Sequence, residues 1–139
     1  MFRVLDADSP ISKEDFLQFE EILGKKLPEA MKDFYLKYNG VQPQVVGVHD
    51  DRHLFPFNSF NSIGEMRKSL TWFDDEVVPE GFKATDLLHF AYDPGSGNYA
   101  LSLREEDYGK VYFYVLEEKA ELYGQWPSFE DFLNSFVEE

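Results

Sequence analysis

Residues 11–40, ISKEDFLQFEEILGKKLPEAMKDFYLKYNG, decide how the rest of the chain is read. They spell two short amphipathic helices with a Leu-Pro hinge between them and an Asn-Gly stop at the end. Ser12 can cap the first helix, with Asp15 three residues on in the acidic position of a capping box. Phe16, Phe19, Ile22 and Leu23 then recur at helical spacing on one side. Gly24 suits the left-handed conformation that ends a helix. Pro28 suits the first position of the second helix, where its missing N–H costs nothing. Met31, Phe34, Tyr35 and Tyr38 form the second apolar stripe, and Asn39-Gly40 closes it.

Working outward, Val45–Val48 and His53–Phe57 read as short strands around an Asp50-Asp51 turn, with Pro56 at a strand end. Ser62 with Glu65 makes a second capping box, opening a helix through Ile63, Met66, Leu70 and as far as Phe73. Asp74-Asp75-Glu76 lie where acids oppose a helix carboxyl end, so the helix is expected to stop there. Residues 77–83 read as a loop. Leu87–Tyr92 and Tyr99–Leu103 read as strands joined by Asp93-Pro94-Gly95-Ser96-Gly97-Asn98, whose glycines and Asn98 would supply positive φ angles. Lys110–Leu116 is a further strand. Ser128 caps a last helix containing Phe129, Phe132, Leu133 and Phe136. The order predicts an α+β fold: one domain over residues 1–139, with about four helices packed on one mostly antiparallel sheet.

The segment 11–40 also resembles the amino-terminal signature of the SUKH superfamily. The resemblance rests on Phe19-Glu20, Leu23-Gly24, Leu27-Pro28, Phe34-Tyr35-Leu36 and Asn39-Gly40. It continues in Phe90-Ala91-Tyr92-Asp93 through Gly97-Asn98 and in Gly109-Lys110-Val111-Tyr112, so it covers roughly residues 10 to 137. Val41 departs from it, because family members often carry a second glycine there. The superfamily contains bacterial immunity proteins of toxin systems and fungal regulators of cell-wall synthesis. The resemblance implies the same α+β architecture and supplies no catalytic motif, so its signature residues read as structural.

Composition narrows the function. The 139 residues carry 27 acids against 13 bases, a formal net charge of −14. Such a field repels nucleic-acid phosphates and anionic membranes and attracts basic proteins. No apolar run approaches the length of a membrane span, and MFRVLDADSP at the amino terminus lacks the pattern of a secretory signal. With no cysteine, disulfides and thiolate metal sites are excluded. A cytoplasmic protein is expected.

Catalytic constellations are thin. His49, Asp50, Asp51 and His53 have the residue types of a zinc or manganese site, yet a hairpin would not make them converge. The 93–98 loop lacks the Gly-Lys-Ser/Thr ending of a phosphate loop. No Gly-x-Ser-x-Gly elbow accompanies the histidines, and His89, inside an apolar run, reads as a structural, hydrogen-bonded residue. Tyr112-Phe113-Tyr114 alternates along a strand, placing Phe113 opposite to both tyrosines and leaving some tyrosines for solvent or an interface. The expectation is therefore a protein-binding domain with no catalytic residue, metal or cofactor.

Joined to the resemblance, that expectation becomes an immunity protein, a monomer or weak oligomer. It would occlude the basic surface of a toxin, for instance a nuclease. The acidic runs Asp74, Asp75, Glu76 and Glu105, Glu106, Asp107 are its candidate contacts. A regulatory scaffold of the fungal cell-wall type comes second, disfavoured by the lack of long disordered flanks, and a small hydrolase third.

Overall fold

The computed structural model describes residues 2–139. The two capping boxes form as the sequence dictates. Ser12 Oγ accepts the Asp15 N–H at 3.1 Å while Asp15 returns the bond to Ser12 N at 2.9 Å, opening α1 (Lys13–Leu23). Gly24, at φ +69°, ends it. Phe16 and Phe19 are buried, whereas Ile22 turns to solvent at 45% exposure, which trims the expected stripe.

Glu20 then folds back to accept the Leu27 N–H at 2.6 Å, clamping the hinge. Pro28 sits one position outside α2 (Glu29–Lys37) as its N-cap, with φ −57°, rather than as its first helical residue. Met31, Phe34 and Tyr35 are buried, and the Tyr35 hydroxyl donates to the Asn61 carbonyl at 2.7 Å.

Asn39-Gly40 does more than stop a helix. The Asn39 side chain donates to the Ser9 carbonyl at 2.8 Å and accepts from the Ile63 N–H at 2.9 Å. Gly40 has φ +71°, and a Cβ there would lie 2.8 Å from the Ser62 backbone. The motif is the joint on which the next helix, α3 (Ile63–Ser69), is seated. Val41 is fully buried and begins a strand at once.

The strands form two sheets, not one, and every pairing among the described residues is antiparallel. The first has β2 (Val41–His49) at its centre, with β1 (Arg3–Ala7), β3 (Leu54–Phe55) and, at the chain's end, β9 (Phe136–Glu138) paired to it. The second runs β4 (Ser59–Phe60), β5 (Leu87–Tyr92), β6 (Gly97–Ser102), β7 (Val111–Leu116), β8 (Ala120–Trp126). A short 3-10 turn, Ala84–Asp86, precedes β5, and α4 (Phe129–Leu133) follows β8.

Several expectations are corrected. The strand expected at Val45–Val48 spans nine residues, and the one at His53–Phe57 contracts to two before Pro56. α3 ends at Ser69, whose hydroxyl bonds back to the Met66 carbonyl. Phe73 lies beyond it and stacks on His89. Phe136 belongs to β9 rather than to the last helix: it pairs with Val48 and packs edge-on against Phe57 and Phe2. β1, β4 and β8 have no counterpart among the strands read from the sequence.

The 93–98 loop works differently from expectation. None of its residues has a positive φ. Asp93 instead accepts the Gly95 and Gly97 N–H groups, each at 2.8 Å. Gly97 is needed for close approach, since a Cβ there would meet Asp93 Oδ2 at 2.5 Å and the Phe113 ring at 2.6 Å. Asn98 lies in β6 between Tyr92 and Tyr114.

The main core gathers all four helices onto both sheets around Phe34, Phe60, Tyr99 and Phe132. The five-stranded sheet is covered on its other face too. Tyr112 and Tyr114, opposite Phe113 as the alternation requires, pack with Val78, Leu87 and Ala100 beneath Phe82 and Ala84. Neither tyrosine is a solvent-facing residue.

Candidate functional site: an acidic groove between the two sheets

β2 and β8 belong to different sheets but meet at their ends. The Trp126 indole N–H donates to the His49 carbonyl at 2.9 Å, and His49 N–H donates to Ser135 just after α4. The turn 50–53 is shaped by Asp50, whose Oδ1 accepts the Arg52 and His53 N–H groups at 2.8 and 2.9 Å. Burial pushes the Asp50 carboxyl upward, but those bonds, another from Gln125 N–H and the nearby His53 outweigh it and hold it below the usual aspartate value. Asp50 is thus an anion at neutral pH, and a structural one.

Beside this junction lies an open groove of about 800 Å³. Trp126, Pro127 and Tyr108 line it. Among the described residues lining it, Asp50, Asp51, Glu106, Asp107 and Asp131 carry carboxylates, and Lys110 is the lysine among them. Tyr108 fixes one wall by donating its hydroxyl to the Lys26 carbonyl in the hinge before α2.

Asp107 differs from its neighbours. It accepts bonds from Ser102 Oγ, the Tyr112 hydroxyl and both Nε and Nη2 of Arg104. Partial burial pushes its carboxyl upward, but the Arg104, Ser102 and Tyr112 bonds win and hold it well below the usual range. Tyr112, desolvated and bonded to that carboxylate, is raised to about 12. Arg104 also lies 3.9 Å from the Phe82 ring centre and donates to the Gly81 carbonyl, pinning the covering loop. The Asp107 charge is therefore neutralised within the chain.

The six acids singled out in the sequence divide accordingly. Glu105 and Glu106 are exposed, and Glu106 and Asp107 line the groove. Asp74, Asp75 and Glu76 are exposed but lie outside it, where Asp74 caps the Glu76 N–H and Asp75 accepts from Ala84 N–H. Asp51 and Asp131 join the groove only through the fold. The sequence marks Asp51 only by its metal-like neighbours and not as a partner contact, because residues 51, 106 and 131 meet only through tertiary contacts.

The histidines do not converge. His49 and His53 flank the 50–52 turn, and among the described residues no three His, Asp or Glu side chains are placed to hold a metal ion. His89 is buried at 5% exposure, its Nε2 is 2.7 Å from the Tyr114 hydroxyl, and its ring lies flat on Phe73 with centres 3.7 Å apart. Desolvation lowers its pKa to about 3, so it is neutral. No helix among the described residues is long and apolar enough to cross a membrane.

Comparison with family models places residues 10–135 in a match to the SMI1 / KNR4 family (SUKH-1). No curated protein matches the chain. The matched signature residues have the structural duties described above: Glu20 clamps the hinge, Asn39 and Gly40 seat α3, and Asp93 with Gly97 builds the β5–β6 turn.

Proposed function

This chain belongs to the SMI1 / KNR4 family (SUKH-1), and on that premise we propose that it is a non-catalytic immunity protein. It binds a cognate toxin, for instance a nuclease, in the cytoplasm and covers its basic surface. The observation that carries the reading is the acidic groove, where Asp51, Glu106 and Asp131 line the same opening as Trp126 and Tyr108. A nuclease must attract phosphate, so the surface around its active site is cationic. An anionic groove with Trp126 and Tyr108 in its lining suits lysine and arginine side chains, which offer both charge and a long apolar stem. Inhibition follows from occupying the surface the substrate needs, with no bond made or broken by the inhibitor.

The test is direct. A toxin domain encoded beside this gene is the expected partner; it is purified, and its activity is titrated with the chain at rising salt. Inhibition should reach completion at a 1:1 ratio, weaken with ionic strength, and be impaired by Asp51→Lys and Glu106→Lys. Inhibition indifferent to those charge reversals would refute the groove. Turnover by the chain itself that disappears on changing His49 or His53 would refute the non-catalytic reading.

A further inference from the structure

β8 is the outermost strand of the five-stranded sheet and pairs with β7 alone among the described strands. The opposite edge, β4, is only two residues long. A free edge presents backbone N–H and C=O groups outward, and proteins usually shorten, cover or charge it. This edge is seven residues long. Leu122 and Tyr123 are 45% and 51% exposed. A register irregularity leaves Tyr123 without a partner in the ladder, so two apolar side chains in succession reach solvent.

Leu122, Tyr123, Gly124 and Gln125 all line one cavity of about 430 Å³, walled across from them by the 50–52 turn. Successive strand side chains point to opposite faces. The irregularity at Tyr123 breaks that alternation, so the cavity follows β8 and also reaches Tyr112 on β7. The far end of β8 is covered by the preceding hairpin: the Trp126 indole N–H donates to the His49 carbonyl, and the Phe55 ring lies against Gly124. Asp50, Asp51 and Gln125 also line the acidic groove, so the trough opens into it.

Charge selects the occupant. Glu117, Glu118 and Glu121 surround the near end of the strand, and the lysine among them, Lys119, is 3.8 Å from Glu121. Asp51 stands at the far end. A second copy would bring another net charge of −14 to this edge, whereas a segment rich in lysine or arginine meets a complementary field.

We propose that β8 accepts an extended basic segment of the partner as a sixth strand, by β-strand addition. The proposal rests on the binding role above and adds the mode of docking. Backbone bonds to the edge hold the segment in register, its basic side chains meet the flanking carboxylates, and its continuation enters the groove.

The probe is a nine-residue peptide alternating lysine and valine, titrated at low salt into the isotopically labelled chain. Two further forms are used, one N-methylated at every valine and one at every lysine. A strand added in one register uses only one of its two edges. One methylated form should therefore bind at least about tenfold more weakly, equivalent to about 1.4 kcal/mol, while the other binds as the parent does. The Leu122 and Tyr123 amides should shift, and amide exchange along β8 should slow.

Equal affinity of all three peptides, with shifts confined to Lys110, Trp126 and Asp131, would overturn strand addition and leave the groove reading intact. No binding at low salt would also overturn it, while toxin inhibition still judges the groove independently. Self-association that slows amide exchange along β8 without peptide would overturn it in favour of a second copy.

Discussion

His89 makes a quantitative prediction about acid stability. In the unfolded chain its imidazole titrates near 6.5, and in the folded chain desolvation lowers that to about 3. Between those values the unfolded state takes up a proton that the folded state refuses. Stability therefore rises with pH through this window, and is lost as pH falls from about 6.5 toward 3. The slope approaches about 1.4 kcal/mol per pH unit, for a ceiling of about 5 kcal/mol over the whole window. From pH 7.5 to pH 5 the His89 contribution should fall by about 2 kcal/mol.

The chain's carboxylates and other histidines titrate as well, so the contribution is isolated as a difference. Urea unfolding, followed by the fluorescence of buried Trp126, is measured for the wild type and for His89→Gln at both pH values. The glutamine retains a polar atom for Tyr114 but does not titrate. On going to pH 5 the wild type should lose about 2 kcal/mol more than the variant. A difference between the two proteins that does not change with pH would refute the assignment of His89 as a neutral, desolvated group.

Gly97→Ala should cost about 1–3 kcal/mol in urea unfolding, because its Cβ would collide with Asp93 and Phe113. Gly95→Ala, whose Cβ meets only Asp93 Oδ1 at 3.7 Å, should stay within about 0.5 kcal/mol of wild type; equal effects would disprove the close-approach argument. Asn39→Ala removes one bond to Ser9 and one from Ile63 at a buried joint. It should cost about 2–3 kcal/mol by thermal or urea unfolding. Asp107→Asn should destabilise by about 1–3 kcal/mol by weakening the Arg104, Ser102 and Tyr112 bonds. Because the folded pKa of Asp107 is lowered, its contribution is present above the ordinary value of 3.8 and lost as pH falls below it. Glu106→Lys should leave stability within about 0.5 kcal/mol while slowing association with a basic partner about tenfold or more at low salt, an effect that stopped-flow mixing should find absent at high salt.

The sequence by itself determined what depends on neighbours a few residues apart. Ser12 and Asp15, Ser62 and Glu65, and Gly24 mark the helix ends because an N-cap bond spans three residues and a left-handed φ belongs to one. The run Lys110–Leu116 declared its strand because β-branched and aromatic residues suit a pleated surface whatever lies beside it. Tertiary structure decided the rest. β1 is exposed throughout and owes its existence to pairing with β2, and β9 takes Phe136 from the expected helix because a pocket of aromatic rings waits for it. The groove depends on bonds such as Trp126 to His49 and Tyr108 to Lys26, separated by 77 and 82 residues. No local pattern encodes such contacts. They form only when burial of the shared core brings distant segments together, and with them Asp51, Glu106 and Asp131.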